Sequence, residues 1–294
     1  MFIVDLNQIM YANIAAQMGL AGRGAVTVDE NMVRHMVLNT LRSFRQKFKV
    51  EYGEMIIACD TGNYWRRKIF PHYKANRKTA REASGLDWKS IFQAMKQIRV
   101  ELKEFFPYRV IEVDSAEADD VISTLVHKYG NDTGLRFGEK LLILSGDKDF
   151  IQLHRFSNVE QYDPVRKKWI KHDDPRQFLR EHVLKGAVGD GVPNILSPDD
   201  CFISGQRQTP LTQKKMDYYL STDPIQYQAL VGRNYHRNKQ LIDLSCIPEE
   251  VKVKIMEQYS EQADKPRSKL LNYFISNKLR HLLEHINEFW VDKT

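Results

Sequence analysis

Leu141-Leu142-Ile143-Leu144-Ser145-Gly146-Asp147-Lys148-Asp149 joins four consecutive apolar residues to a Ser-Gly step and two acids. An apolar run this short and continuous reads as a strand buried on both faces. The same grammar recurs outward from it. Phe2-Ile3-Val4-Asp5, Ile56-Ile57-Ala58-Cys59-Asp60 and Val110-Ile111-Glu112-Val113-Asp114 each end an apolar run on a carboxylate. Helical periodicities lie between these runs. Thr27-Val28-Asp29-Glu30 has capping-box spacing, and Met32, Val33, Met36, Val37, Thr40, Leu41 and Phe44 then repeat on one face. Trp88, Ile91, Phe92, Met95, Ile98, Leu102 and Phe105 mark a second amphipathic helix that Pro107 closes. Ser115 reads as the N-cap of a third, with Glu117, Asp119 and Asp120 in its first turns. Such alternation predicts an α/β fold, a mostly parallel central sheet with helices on both faces.

After Asp149 the alternation stops. Val159 to Asp163 and Lys168 to Lys171 read as a hairpin turning at Asp163-Pro164-Val165-Arg166. From Pro175 the pattern is mostly helical, with loops at Gly186 to Pro193 and Ser204 to Pro210. Residues 1–172 are therefore expected to form the α/β core and 173–294 a smaller helical lobe; no internal repeat is evident.

With 294 residues, 42% of them hydrophobic, the chain can bury a full core. Lys and Arg outnumber Asp and Glu by 44 to 38, a net charge of +6, while acids gather at the strand ends. A positive body around a negative pocket suits a polyanion processed with metal ions. The three cysteines, Cys59, Cys201 and Cys246, form no CxxC pair, so neither a disulfide framework nor a zinc knuckle is indicated and a reducing cytoplasm is expected. No apolar run is long enough to span a membrane, and the N-terminus enters a strand at once rather than a leader. Gly-x-Ser-x-Gly, the P-loop and a Gly-x-Gly-x-x-Gly after the first strand are all missing, which disfavours serine hydrolases, NTPases and dinucleotide enzymes.

Carboxylates delivered to one sheet edge raise each other's pKa and need a strong counter-charge to stay ionised. Ligands on such sheets bind beyond the carboxyl ends of the strands, where Asp5, Asp60 and Asp147 are expected. All-oxygen ligation without paired His or Cys favours Mg²⁺ or Mn²⁺ over zinc, and two such ions suit phosphodiester hydrolysis. Taken singly, Asp29 and Asp114 read as helix caps or solvated turns. Glu117-Ala-Asp119-Asp120 and Asp147-Lys-Asp149 are too dense for that.

A second constellation is cationic. Arg66, Arg67, Lys68, Lys74, Arg77, Lys78 and Arg81 lie between Gly62 and Arg81 with no acid among them, interleaved with Tyr64, Trp65, Phe70 and Tyr73. Nothing there has a core pattern, and basic residues with aromatic faces suit a single nucleic-acid strand. Lys167, Lys168, Lys214 and Lys215 extend the basic footprint. A third element is the loop Lys185 to Asn194, between a helix at Phe178 to Leu184 and one expected to start near Pro198. There Gly186, Gly189 and Gly191 would let backbone N–H groups approach a phosphate.

Ala-Glu117-Ala-Asp119-Asp120, Ser-Gly-Asp147-Lys-Asp149-Phe150 and Lys-Gly-Ala-Val-Gly-Asp190-Gly-Val-Pro, with the strand acids Asp5 and Asp60, resemble the structure-specific 5′-nuclease family of flap endonucleases and 5′-to-3′ exonucleases. The resemblance runs through nearly the whole chain. Tyr64-Trp65-Arg66-Arg67, Phe150-Ile-Gln-Leu-His154, Lys167-Lys168-Trp169 and Leu241-Ile242-Asp243 are most similar to its ribonuclease H branch from T-even bacteriophages. It implies a PIN/5′-nuclease-like fold with a helix–turn–helix that holds the duplex. It implies two Mg²⁺ ions, with Mn²⁺ as substitute: one held by Asp5, Asp60, Glu117 and Asp119, the other by Asp119, Asp147, Asp149 and Asp190, with Asp120 nearby. Residues 62–86 would form a helical arch, in which Lys74 and Arg77 clamp or activate the scissile phosphate and Arg66, Arg67, Tyr73 and Lys78 add nucleic-acid contacts.

The expected substrates are branched or 5′-flap DNA and RNA/DNA duplexes, and the expected role is removal of RNA primers in lagging-strand replication. The setting implied is a phage protein in the host bacterial cytoplasm, a monomer, with a single-strand-binding protein and a sliding clamp as partners. One departure stands out. The family loop reads Gly-Asp-x-x-Asp-Asn, whereas this chain has Gly186-Ala187-Val188-Gly189-Asp190-Gly191, so Ala187 replaces a second-site carboxylate. Two alternatives follow: a branched-DNA binding protein that no longer cuts, and a PIN-type single-strand ribonuclease.

Overall fold

The structure, a computed structural model, describes residues 1–21, 27–130, 139–263, 265–266 and 268–290. Six strands form one sheet: β1 (Phe2–Asp5), β2 (Met55–Ala58), β3 (Arg109–Ile111), β4 (Leu141–Leu144), β5 (Val159–Asp163) and β6 (Lys168–Ile170). Their order is β3-β2-β1-β4-β5-β6, with every neighbouring pair parallel except the β5–β6 hairpin. β1 to β4 are short and apolar because helices cover both faces, which removes the polar alternation of a half-exposed sheet. Side chains still alternate in direction. Phe2 and Val4 enter one apolar core, and Ile3 enters the other.

The first core is closed by α1 (Leu6–Ala21), α2 (Glu30–Tyr52) and α5 (Trp88–Phe105). Asp29 caps α2, accepting from the Met32 N–H at 3.1 Å, so the cap lies two residues beyond the Thr27 that the spacing suggested. Between β2 and α5 stand two short helices, α3 (Arg66–Ile69) and α4 (Asn76–Ala83). The second core is closed by α6 (Ala118–Tyr129), whose Val121, Ile122, Leu125 and Val126 are buried. Its N-cap is Glu117, in a capping box with Asp120, and not Ser115, which sits in a turn at φ 69°. β3 stops at Ile111, so Asp114 is exposed in that turn and does not end a strand.

The C-terminal helices are α7 (Pro175–Lys185), α8 (Gln213–Ser221), α9 (Ala229–Ile242), α10 (Glu249–Glu261), α11 (Leu270–Ser276) and α12 (Arg280–Leu283). No helix starts near Pro198; residues 199–205 are turns, and α8 begins only after Thr212. The later helices return to the sheet. Val251 and Ile255 of α10 enter the second core, and Leu270, Tyr273, Phe274, Leu282 and Phe289 enter the first, so the stretch from Ser268 to Phe289 is a core element. Two glutamines one turn apart, Gln258 of α10 and Gln262 just past its end, finish the open edge of the sheet. Gln262 takes both the N–H and C=O of Val110 at 2.9 and 2.8 Å, and Gln258 those of Glu112 at 3.0 and 2.7 Å.

The chain runs outward in opposite directions from the β1–β4 pair, which makes the gap beyond their carboxyl ends the topological switch point where open α/β sheets take ligands.

Candidate active site

Four elements deliver acids to that gap. Asp5 is the last residue of β1, Asp60 follows β2, Asp119 lies in the first turn of α6 and Asp147 follows β4; all four line one cavity of about 480 Å³, open to solvent. Facing them are Lys74 and Arg77 from the segment between α3 and α4 and its continuation. Burial, and then the Asp60 charge, push the Asp5 carboxyl up to about 7. Burial is also the main cause that raises Asp60 and Asp119, and the Asp147 charge adds to the shift of Asp119. Asp147 itself, at the rim, is raised by desolvation and by Asp149. Such a set ionises together only when cations share the space.

The donor set is all oxygen, which fits a hard divalent cation. Two of the acids are meanwhile held by local partners. Asp5 accepts from the Gln8 N–H and the Ser145 hydroxyl, both at 3.1 Å, and Asp60 from the Ala118 N–H at 2.6 Å and Asn7 at 2.5 Å. As placed, no three carboxylates or histidines among the described residues ligate a common point.

The other expected ligands stand at the margin. Glu117 is 1% exposed and accepts from Lys74, from Arg66 at 2.7 Å and from the Tyr73 hydroxyl at 2.9 Å. Burial works against its charge, but the Lys74 and Arg66 cations outweigh it and hold the carboxyl below its ordinary range. Asp149 pairs with His182 of α7 at 3.0 Å. Asp190 pairs with Arg77 at 2.6 Å and lies 3.7 Å from Lys74. Lys74, only 9% exposed, keeps its proton despite burial because Asp190 and Glu117 flank it.

Three expectations need correction. Asp120 does not face the cavity. It is fully buried, its carboxylate taken by Arg66 at 2.8 and 3.1 Å, by the Trp65 indole at 3.0 Å and by the Glu117 N–H at 2.9 Å. Arg66, 3% exposed, is the other half of that pair and no surface contact for a strand; its Nε also donates to Leu241 O at 2.9 Å. The segment from Gly62 to Arg81 does carry core residues, since Trp65, Phe70 and Tyr73 are buried, and Tyr73 spends its hydroxyl on Glu117. Arg67 and Lys78 remain at the surface, Lys78 near Glu82 and Arg67 over the Tyr64 ring.

The glycine loop is shaped by backbone crowding. A Cβ on Gly186, at φ 71°, would stand 2.5 Å from Val192 O, so only glycine closes this turn. The N–H groups of Gly186 and Gly191 are already donated to His182 O and Val188 O, which leaves neither to receive a phosphate. Gly189 is open on the surface. Ala187 carries its methyl into the small apolar cluster of Phe70, Tyr73, Val183 and Val192. Residues that pattern reading missed are Asn7, Gln8 and Tyr11, which line the cavity from the first turns of α1, and His182. Their one signal is closeness to Asp5 in sequence; His182 has none.

Comparison with known proteins gives this arrangement a family. Residues 1–183 match the model of the 5′-3′ exonuclease N-terminal resolvase-like domain, and residues 178–289 match the C-terminal domain of T4 RNase H. The ribonuclease H of Enterobacteria phage T4 is 34% identical over 89% of this chain and 88% of its own length. A flap endonuclease Xni of Shewanella denitrificans is 29% identical over 58% of this chain and 66% of its own. Among solved structures, the bacteriophage T5 flap endonuclease in complex with DNA and metal ions superposes with a TM-score of 0.62 at 17% identity, covering 90% of this chain and 99% of that one. The same T5 protein crystallised with metal ions gives 0.60 at 17% identity, over 89% and 98%. By both family models and by its likeness to the T4 protein, this chain belongs to the 5′-3′ exonuclease family, in the branch of T4 ribonuclease H.

Proposed function

We propose that this chain is a divalent-cation-dependent 5′ nuclease, a 5′-to-3′ exonuclease and flap endonuclease that hydrolyses phosphodiesters at the 5′ ends of RNA/DNA and DNA/DNA duplexes and so removes RNA primers. The observation that carries the reading is the convergence of Asp5, Asp60, Asp119 and Asp147 on one cavity at the sheet's switch point, faced by Lys74 and Arg77. Asp5, Asp60 and Asp119 are the residues that would hold one Mg²⁺, and Asp119, Asp147, Asp149 and Asp190 a second; Mn²⁺ suits the same oxygen donors. When bound, such ions supply the Lewis acidity that lets water attack a phosphodiester.

The chain's own residues do the rest. Glu117 and Asp190 keep Lys74 protonated at the cavity wall, where its ammonium meets the scissile phosphate. Arg77, half open to solvent, is the second phosphate contact. Recognition rests on backbone charge and duplex shape, with Arg67, Lys78 and the 186–191 loop along the path of the strands. Single-strand-binding and sliding-clamp proteins are the partners such a replication role calls for.

A second reading, a branched-DNA binding protein that does not cut, is favoured by the Ala187 methyl that stands where the family has a carboxylate. Cleavage of a labelled 5′-flap duplex in Mg²⁺ separates the two. Product that depends on the cation supports the nuclease; tight flap binding with no product above the metal-free control would overturn it.

A further inference from the structure

We propose that Asn76 is a positioning residue that locks the arch segment onto the 188–190 turn and thereby fixes the place of Lys74. Three consecutive carbonyls of that turn each meet a donor from the arch. Val188 O accepts from Asn76 Nδ2 at 3.0 Å, Gly189 O from Arg77 Nε at 3.2 Å and Asp190 O from the Lys74 N–H at 2.7 Å. Lys74 lies at φ 58°, in the left-handed region that residues with a Cβ seldom occupy and hold only where their surroundings over-determine it. That backbone state accompanies an ammonium turned inward onto Glu117.

α4 buries none of its own residues, so apolar packing of that helix does not anchor this end of the arch. Beside the buried Tyr73 and the ion pairs of Lys74 and Arg77, the three polar bonds tie this segment to the turn. Lys74 and Arg77 also pair with acids, whereas Asn76 makes its bond to the turn without touching a carboxylate. Gly191 gives it room: a Cβ there would stand 3.2 Å from Asn76 Oδ1 and 3.1 Å from His72 O. The inference rests on the proposed function, in which the 186–191 loop follows the duplex and Lys74 meets the phosphate. Asn76 then makes the placement of the reacting cation depend on the loop that holds the substrate.

The test is a double-mutant cycle in single-turnover cleavage of a 5′-flap duplex at saturating enzyme, with wild type, Asn76→Ala, Lys74→Ala and the double variant. Flap affinity is measured without divalent cation, and exchange of the Lys74 amide by hydrogen–deuterium exchange. Asn76→Ala is expected to slow cleavage roughly tenfold, the scale of a misplaced reacting group, while flap affinity holds within about twofold. On the Lys74→Ala background it should slow nothing further, because both changes remove one function. The Lys74 amide should exchange faster in Asn76→Ala while the sheet stays protected. An unchanged rate, the same slowing on both backgrounds, or unchanged exchange at Lys74 would each overturn the proposal. A Lys74→Ala enzyme as fast as wild type would overturn the role given to Lys74, and amide exchange would still judge the lock.

Discussion

Replacing Arg66 by Met decides whether this arginine is a strand contact, as its basic neighbourhood suggested, or a structural tie. The guanidinium makes four bonds: to Glu117 at 2.7 Å, to Asp120 at 2.8 and 3.1 Å and to Leu241 O at 2.9 Å. Its acidic partners are 1% and 0% exposed, so neither can recover solvation by turning outward. Removing one member of a buried pair costs about 3–5 kcal/mol. Glu117 keeps Lys74 and Tyr73, and Asp120 keeps Trp65 and the Glu117 N–H, which places the loss near the low end, about 3 kcal/mol. For a chain of this size that is a fall in Tm of roughly 5 °C.

The assay is thermal and urea unfolding at neutral pH of wild type, Arg66→Met and Arg66→Met/Asp120→Asn. Neutralising Asp120 should restore part of the loss, because it removes the stranded charge. The sign of the pH dependence follows from Glu117. Its carboxyl is held below the usual value of 4.5, so the stability it contributes is present above that value and disappears as pH falls through the folded one. The advantage of wild type over Arg66→Met should shrink on acidification. A variant that melts within about 2 °C of wild type, far below the cost of a broken buried pair, yet binds flap DNA much more weakly, would refute the reasoning and return Arg66 to the nucleic-acid surface.

Ala187→Asp should tighten Mn²⁺ binding by calorimetry and raise Mg²⁺-dependent flap cleavage by roughly tenfold or more, the scale on which a supporting carboxylate acts at a metal site; no change in either would show that Asp147, Asp149 and Asp190 suffice. Asp5, Asp119 and Asp147 have folded-state pKa values raised above the usual 3.8, Asp5 to about 7, so their penalty is absent below the unfolded value and complete above the folded one. The stability gained on adding saturating Mg²⁺ should therefore be larger at pH 8 than at pH 5, with protons released on binding; an equal gain at both pH values would contradict the cluster's electrostatics.

The acids at Asp5, Asp60 and Asp147 were legible because short apolar runs define strand ends, and parallel strands deliver those ends to one edge. Asp119 was legible as the start of the next helix. Arg66 and Asp120 were not, because each sits among charged neighbours that read as surface, and nothing local says that two such residues more than fifty positions apart will bury each other. Glu117-x-x-Asp120 is a capping box, a helix-start signal hidden inside what looked like a ligand cluster. The turns at 199–205 read as helix in the sequence because Pro198 followed by acids imitates a helix start. The return of Leu270 to Phe289 into the core was open, since an amphipathic stretch carries the same pattern whether it covers a sheet or a partner.

The glutamine pair at the C-terminal end of α10 has a consequence for the order in which the chain is made. β3 is an edge strand whose backbone partners on one side lie about 150 residues downstream. At ribosomal speeds of 5–20 residues per second, that edge waits on the order of ten seconds before Gln258 and Gln262 emerge. During that interval a finished nascent sheet presents an unpaired ladder to any neighbouring chain. A chain released from the ribosome short of residue 262 keeps the β3 edge unpaired, and it is a template for pairing with a second chain.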